Sequence, residues 1–330
     1  MGTRSIWRIA IPAIAIGLIV AIQIRYFDRG FVPGDAFTYL AAGERLNTGH
    51  LLYALSPGDR PVDLKPPFWT VPLLSPPPIA VLFRPLALLG DSGAYVWWIA
   101  CVAVIAGTCL ALLRRRPVLV GLAMIFLSVP IVYEIGVGNL NAFLVGGITA
   151  AWYLMAHRRD RAAGAVIAMT TALKLTPVIL AWWLITQRRW GALRAFVVAG
   201  VSLLAVSLVG AGLSAHFDYL TIIAGTSSSG TSELSLAGIA RGLGVPPSVA
   251  SPLPLVVLLS GVVLIAVLRH HPGLAWAVAI ATMVFGSPVV NVNWFTLLLA
   301  ALAPLAWPGP PDSAVPVASA EGTMTASTVG

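Results

Sequence analysis

Five small groups of polar residues stand out in a chain of which only 10% is charged. The first is Asp35, near the head of Gly34-Asp35-Ala36-Phe37-Thr38-Tyr39-Leu40-Ala41-Ala42-Gly43-Glu44-Arg45-Leu46. A carboxylate there can accept hydrogen bonds from the first backbone amides of a helix. In a partly dry site with a hydroxyl in reach it can instead act as a general base. Tyr39, Glu44 and Arg45 share that segment and are candidate substrate contacts. The second group is Glu134 with Gly138-Asn139-Leu140-Asn141, whose amides suit sugar hydroxyls or the capping of helix ends. The third is Lys174, in Lys174-Leu175-Thr176-Pro177 inside an apolar stretch. A buried cation suits an anionic phosphate; a lysine that snorkels to the surface or pairs with Glu134 is the alternative. The fourth is Ser232-Glu233-Leu234-Ser235, and the fifth is Asn291 with Asn293. Cys101 and Cys109 lie eight apart in one apolar run with no partnering histidine, which predicts small residues facing lipid or core. No metal site or cofactor is expected: neither a nucleotide-phosphate loop nor a diphosphate–metal carboxylate pair is present.

The elements that must position these groups are set by composition. Of 330 residues, 58% are hydrophobic and 10% charged, against about 25% charged in soluble domains. Such a chain cannot cover itself with a wetted surface, and lipid is the solvent that asks for none. Apolar runs of spanning length are read at Ile6–Ile24, Tyr95–Leu113, Val118–Ile135, Leu140–Ala156, Leu193–Leu213, Leu253–Leu268, Leu274–Val290 and Trp294–Trp307. This predicts an all-α, polytopic transmembrane bundle of about 8 spans. Residues 1–307 form the membrane domain, and 308–330, rich in Pro, Ser, Thr, Ala and Gly, form a disordered cytoplasmic tail. The helix from Asp35 is expected to lie on the membrane surface, with Phe37, Leu40, Ala41 and Glu44 along one side.

Net charge +8 invites a nucleic-acid reading, but the arginines form no patch with interleaved aromatics. Twelve of the twenty basic residues fall in short clusters between apolar runs: Arg4/Arg8, Arg114–Arg116, Arg158/Arg159/Arg161, Arg188/Arg189/Arg194 and Arg269. Basic clusters mark the cytoplasmic side, so both termini are expected there, in a plasma membrane. The first loop, with five bases (Arg25, Arg29, Arg45, Arg60, Lys65) against five acids (Asp28, Asp35, Glu44, Asp59, Asp63), is then outside. Both flanks of 162–187 then lie inside. Each half has about 12 residues, roughly 18 Å as helix, too short to cross a core of about 30 Å. A broken re-entrant hairpin with Lys174 at its tip is preferred over one tilted helix that would carry Arg188 and Arg189 outside. By the same logic 79–89 dips without crossing.

Taken in order, "GDAFTYLAAGERLNTGHLLY", "SPPPIAVLFRPLALL", "GVGNLNAFLVGG" and "RAAGAVIAMTTALKLTPVILAWWLITQRRWGAL" resemble glycosyltransferase family 87. The likeness continues weakly through "SELSLAGIARGL" and "GSPVVNVNWFTLLLAAL". The resemblance implies a type C glycosyltransferase fold and sugar transfer, with mannose or arabinofuranose as the sugar. The donor would be a polyprenyl-phosphate sugar, the acceptor a glycolipid or glycan, and membrane lipid the surround. It implies Asp35 as general base, and a role for Lys174 near the lipid-linked phosphate, with Arg45 or Arg84 assisting. Glu134, Asn139, Asn141 and Asn293 become candidate substrate contacts. The family commonly has Gly-Gln-x-Asn where Gly138-Asn139-Leu140-Asn141 stands, and Trp with His after the last Ser-Pro, where this chain has Asn291 and Asn293. A lipid-linked-saccharide flippase and an inactive relative acting as a partner protein are the alternatives.

Overall fold

The structure is a computed structural model and describes residues 3–28, 30, 32–62, 71–229 and 232–309. The predicted tail lies almost wholly outside these residues, as do Arg29, Asp63 and Lys65. Among the described residues every regular element is helical.

Helix α1 (Thr3–Phe27) is one unbroken apolar rod, and only 6% of its apolar window is buried. Its exposed Ile9, Ile14, Ile16 and Ile24 would be untenable in water over such a length, so lipid must cover them. Helix α2 (Gly34–Thr48) and α3 (Pro77–Ala87) pack on each other, and α3 is too short to span. Helix α4 (Asp91–Arg115) is long enough to cross and ends on its arginines. Helices α5 (Pro117–Phe126) and α6 (Ser128–Val137) form a pair bent by 70°. In a continuous helix the Pro130 ring would strike the carbonyl of Phe126, so the break falls there. Helix α7 (Asn141–Ala156) is central: it packs against α4, against α8 (Asp160–Leu173) and against a 3₁₀ stretch at Val292–Leu302.

After α8 the chain breaks at Lys174, which is extended (φ −157°, ψ 131°). A 3₁₀ turn at Thr176–Val178 leads into α9 (Ile179–Thr186), and then α10 (Trp190–Ser229) begins. The start of α10 returns to the start of α8. Arg189 Nη1 donates to Asp160 Oδ1 at 3.2 Å, and a Cβ on Gly164 would lie 1.9 Å from the Ala192 carbonyl oxygen. The segment therefore turns back on itself as a hairpin, and the tilted-helix alternative is set aside. Helix α10 is kinked at Gly212, whose φ of 81° only glycine adopts without strain. His216 ties the two arms across the kink: one ring nitrogen lies 3.0 Å from Ser207 Oγ and the other 2.8 Å from the Gly212 carbonyl oxygen. Short α11 (Leu236–Gly242) and α12 (Pro247–Ala250) precede α13 (Leu253–Val267), α14 (Pro272–Phe285) and, after the 3₁₀ stretch, α15 (Ala303–Ala306).

Four segments are long and apolar enough to cross a membrane: Ile6–Phe27, Asp91–Arg115, Trp190–Gly225 and Pro247–His270. The bent α5–α6 pair would make a fifth. By length and composition, the helices supply these four or five of the about eight full spans expected. The runs at Leu140–Ala156, Leu274–Val290 and Trp294–Trp307 are shorter helices of the packed interior. Counting apolar residues measures composition, whereas spanning needs unbroken length; the 16 residues of α7 rise only about 24 Å. The final run compensates in part, because a 3₁₀ helix rises about 2.0 Å per residue where an α-helix rises about 1.5 Å.

Candidate functional site

The site is assembled where α2 meets the turn between α6 and α7. Gly138 ends α6 in the left-handed region (φ 66°), its N–H bonded to the Glu134 carbonyl oxygen. A Cβ on it would come within 3.1 Å of Ala36 Cβ, so a glycine lets α2 close on the turn. Two indoles from α4 hold the turn from the other side. Trp97 Nε1 donates to the Gly138 carbonyl oxygen at 3.0 Å and Trp98 Nε1 to that of Ile135 at 2.7 Å. Helix α2 packs against α3, α4 and α6. Its buried residues include Ala36, Tyr39, Leu40 and Gly43, a face rotated from the predicted one, because small residues let backbone approach closely. Phe37 instead meets Tyr95 edge to face at 5.6 Å.

Within this frame Asp35 is not an N-cap. That position is held by Pro33, and Asp35 lies inside the first turn of α2. Its Oδ2 accepts a hydrogen bond from Asn139 Nδ2 at 2.6 Å, and the same nitrogen lies 3.2 Å from the Tyr39 hydroxyl. Asn139 Oδ1 accepts the Asn141 backbone N–H at 2.9 Å. Asn141 Oδ1 in turn accepts from Lys174 Nζ at 3.0 Å. A carboxylate and a cation are thus joined through two amides, although Asp35 and Lys174 are far apart in sequence. Lys174 also lies 3.3 Å from the centre of the Trp294 ring, a cation–π contact. Its expected alternative, an ion pair with Glu134, is not formed.

Glu134 is fully buried and serves the turn. Its Oε1 accepts the Ala142 N–H at 2.7 Å, giving one of the first amides of α7 the acceptor it lacks within the helix. Asn293, Asp35 and Lys174 all lie within electrostatic reach of this carboxylate. Four polar atoms here have no hydrogen-bond partner among the described residues: Glu134 Oε2, Asn141 Nδ2, Asn293 Oδ1 and Thr296 Oγ1. Thr296, one helical turn beyond Asn293, was not singled out from sequence; nor were Trp97, Trp98 and Trp294, whose signal was aromatic residues at helix ends next to polar turns.

Other candidates lie elsewhere. Glu44 is held by Arg60 through two hydrogen bonds of 2.8 Å, and Arg60 also reaches Asp91 at 2.6 Å. Arg45 is 1% exposed; its Nε donates to the Leu52 carbonyl oxygen at 3.1 Å, and neither Nη atom has a partner among the described residues. Arg84 is engaged by Asn47 Oδ1 and the Gly210 carbonyl oxygen. The Ser232–Ser235 group is structural. Ser235 caps α11 through Gly238 N–H at 3.0 Å, and Ser232 binds both the N–H and carbonyl of Val290, tying that loop to the turn before Asn291. Cys101 and Cys109 are free and buried, facing the core.

Residues 74–308, more than two thirds of the chain, match glycosyltransferase family 87. The chain belongs to that family. It is a multi-pass membrane protein, as the apolar helices require. The matched range contains α3 through the 3₁₀ stretch, and so Glu134, Asn139, Asn141, Lys174 and Asn293, whereas Asp35 precedes it. The chain is also similar to a curated protein of Mycolicibacterium smegmatis, named polyprenol-phosphate-mannose-dependent alpha-(1-2)-phosphatidylinositol pentamannoside mannosyltransferase. The two are 26% identical over 226 residues, 62% of this chain and 51% of the relative, so the chain spans about half the length of that protein. No solved structure matches.

Proposed function

We propose that this family member is a membrane glycosyltransferase that moves a sugar, mannose by preference, from a polyprenyl-phosphate donor to a lipid-linked or glycan acceptor. The reaction is placed at the outer face of the plasma membrane, with the arginine clusters on the cytoplasmic side. The observation that carries the reading is the connected series Asp35–Asn139–Asn141–Lys174, a base and a cation held in one network. Family membership and the name of the mycobacterial relative support the sugar and the lipid phosphate.

In the proposed reaction the acceptor hydroxyl oxygen attacks the anomeric carbon and forms the new C–O bond. The bond from that carbon to the phosphate oxygen breaks, and its electron pair leaves on the lipid phosphate. Attack from the face opposite the leaving group inverts the anomeric centre. Asp35 takes the hydroxyl proton, and Lys174 offsets the charge on the departing phosphate. A phosphate is already a stable leaving group, so one base and one cation supply what the step needs. The apolar faces of α1 and α10 leave the bundle open to lipid, the source of such a donor.

The test is to incubate purified protein in lipid nanodiscs with polyprenyl-phosphate-mannose and a mannosylated phosphatidylinositol, and to look for a product one hexose heavier by mass spectrometry. A parallel arm with the arabinofuranosyl donor decides the sugar. Product is expected with wild type, and Asp35→Asn should lose at least about 10²-fold in turnover while remaining folded. Wild-type turnover by Asp35→Asn would sink the assignment of the base. Donor binding without product would favour a non-catalytic partner, and movement of donor across the bilayer without transfer would favour a flippase.

A further inference from the structure

The resemblance implies a substrate contact at Asn139, but its surroundings leave little for a substrate to bind. A primary amide offers two N–H donors and one carbonyl oxygen. The oxygen accepts the Asn141 backbone N–H at 2.9 Å, two residues on, closing an Asx-type turn at the head of α7. That contact fixes which end of the amide points where, because a backbone N–H needs an acceptor. The nitrogen must then face α2, where it meets Asp35 Oδ2 at 2.6 Å and the Tyr39 hydroxyl at 3.2 Å. Both donors are engaged. The main-chain carbonyl of Asn139 is also occupied, by Cys101 Sγ at 3.5 Å and the Ala142 N–H at 3.4 Å.

We infer that Asn139 is a positioning residue for Asp35, locking the carboxylate of α2 to the α6–α7 turn, and not a contact for the sugar. The inference rests on the proposed role of Asp35 as base. The physical need is plain: α2 is held mainly through packing with α3 and α4 and touches α6 only lightly, while Lys174 is held from α7 through Asn141. The base and the phosphate site ride on different helices, so a direct tie between them sets their separation. A misplacement of about 1 Å in such a pair costs on the order of 10² in rate. Asn139 joins the two, since its oxygen is fixed by the residue that holds Lys174 and its nitrogen by the base. Gly138 permits the approach, and Trp97 and Trp98 keep the turn from relaxing away.

The variants are chosen to leave the turn intact. In Asn139→Ser the hydroxyl still accepts the N–H two residues on, but it is too short to reach Asp35. In Asn139→Gln the amide is kept one methylene further out and can regain Asp35. With polyprenyl-phosphate-mannose and a mannosylated phosphatidylinositol, Asn139→Ser should lower kcat by about 10²-fold with KM for the donor unchanged, and Asn139→Gln should recover most of the loss. A raised KM with kcat intact would make Asn139 a substrate contact and overturn the inference. Asp35→Asn run alongside separates the two levels. If it turns over normally, the base assignment fails; if it is dead while Asn139→Ser is normal, only the positioning role fails. A second measurement needs no turnover. The infrared carboxylate band isolated as wild type minus Asp35→Asn should move off its position in Asn139→Ser and return in Asn139→Gln; an unmoved band would overturn the inference.

Discussion

The two ends of α7 are built on opposite plans. At its N-terminal end Glu134, Asn139, Asn141 and Lys174 gather with Asn293 and Thr296, and Glu134, Asn141, Asn293 and Thr296 each keep one polar atom without a partner among the described residues. Towards its C-terminal end Trp152, Trp183 and Trp276 pack ring on ring, with centroids 5.1–5.8 Å apart and all three nearly inaccessible. Two of those indoles place their N–H on carbonyl oxygens, Trp152 on Trp307 at 2.8 Å and Trp183 on Pro272 at 3.2 Å. The tryptophan end gains chiefly by filling space, and its one orphan among these indoles is Trp276 Nε1. The polar end burdens the fold with a buried carboxylate and orphaned amides, each costing about 1–3 kcal/mol if left unmet. One end of the helix carries stability, and the other gives some of it up to bury polar groups.

That contrast can be broken from either side. Truncating Trp183 to Ala should cost about 3–5 kcal/mol of stability, read as a lowered Tm in detergent, while donor affinity per folded molecule stays the same. Equal losses of affinity and stability would show that the two ends are coupled along α7. Lys174→Met should do the reverse. It removes a charge at nearly constant length and should weaken donor binding by about 10- to 100-fold, the worth of a hydrogen bond to a charged group, with Tm little changed or raised. His216→Ala, on another helix, removes the tie across Gly212 and should cost about 1 kcal/mol, read as a slightly lowered Tm in detergent. The smallest effect is expected in the loop after α2. There Asp59 accepts from the Ser56 N–H at 2.6 Å and lies 2.6 Å from His50 Nδ1. Burial pushes its carboxyl up, but the hydrogen bonds from His50 and Ser56 win and hold it below the usual carboxylate range. A depressed folded value stabilises the loop above the unfolded value of about 4 and loses that contribution as pH falls through the folded value. Amide exchange in residues 50–60 should therefore rise below about pH 4, and Asp59→Asn should abolish that dependence.

Much of this arrangement was legible in the sequence where a single physical rule governed it. The arginine clusters required 162–187 to return, and Arg189 beside Asp160 shows that it does. Lys174 at the break and Glu134 beside the Asn139–Asn141 turn were legible because polar residues in apolar runs are rare. What stayed hidden depended on partners distant in sequence. Arg45 looks like a surface cation in sequence, and it is buried because the loop folds back to offer the Leu52 carbonyl oxygen. Asp35 looked like a cap because local pattern stops at the helix end, whereas Asn139 lies 104 residues away. Span number was not legible for a related reason: an apolar run says what surrounds a segment, and a packed interior and a bilayer ask for the same residues. The 70° bend at Leu127 was open to inference from Pro130, and Gly212 offered no more than a glycine in a long apolar helix.

The hairpin that carries Lys174 is fastened at its paired ends, where Gly164 lies on Ala192 and Asp160 meets Arg189. Its tip therefore works as a dipstick, its depth gauged from that end by the 14 residues of α8, about 21 Å of helix. One residue added to α8 would turn the tip by about 100° and lower it by about 1.5 Å, carrying Lys174 off Asn141 and Trp294 together. The length of α8 is thus as much a part of the site as the lysine at its end.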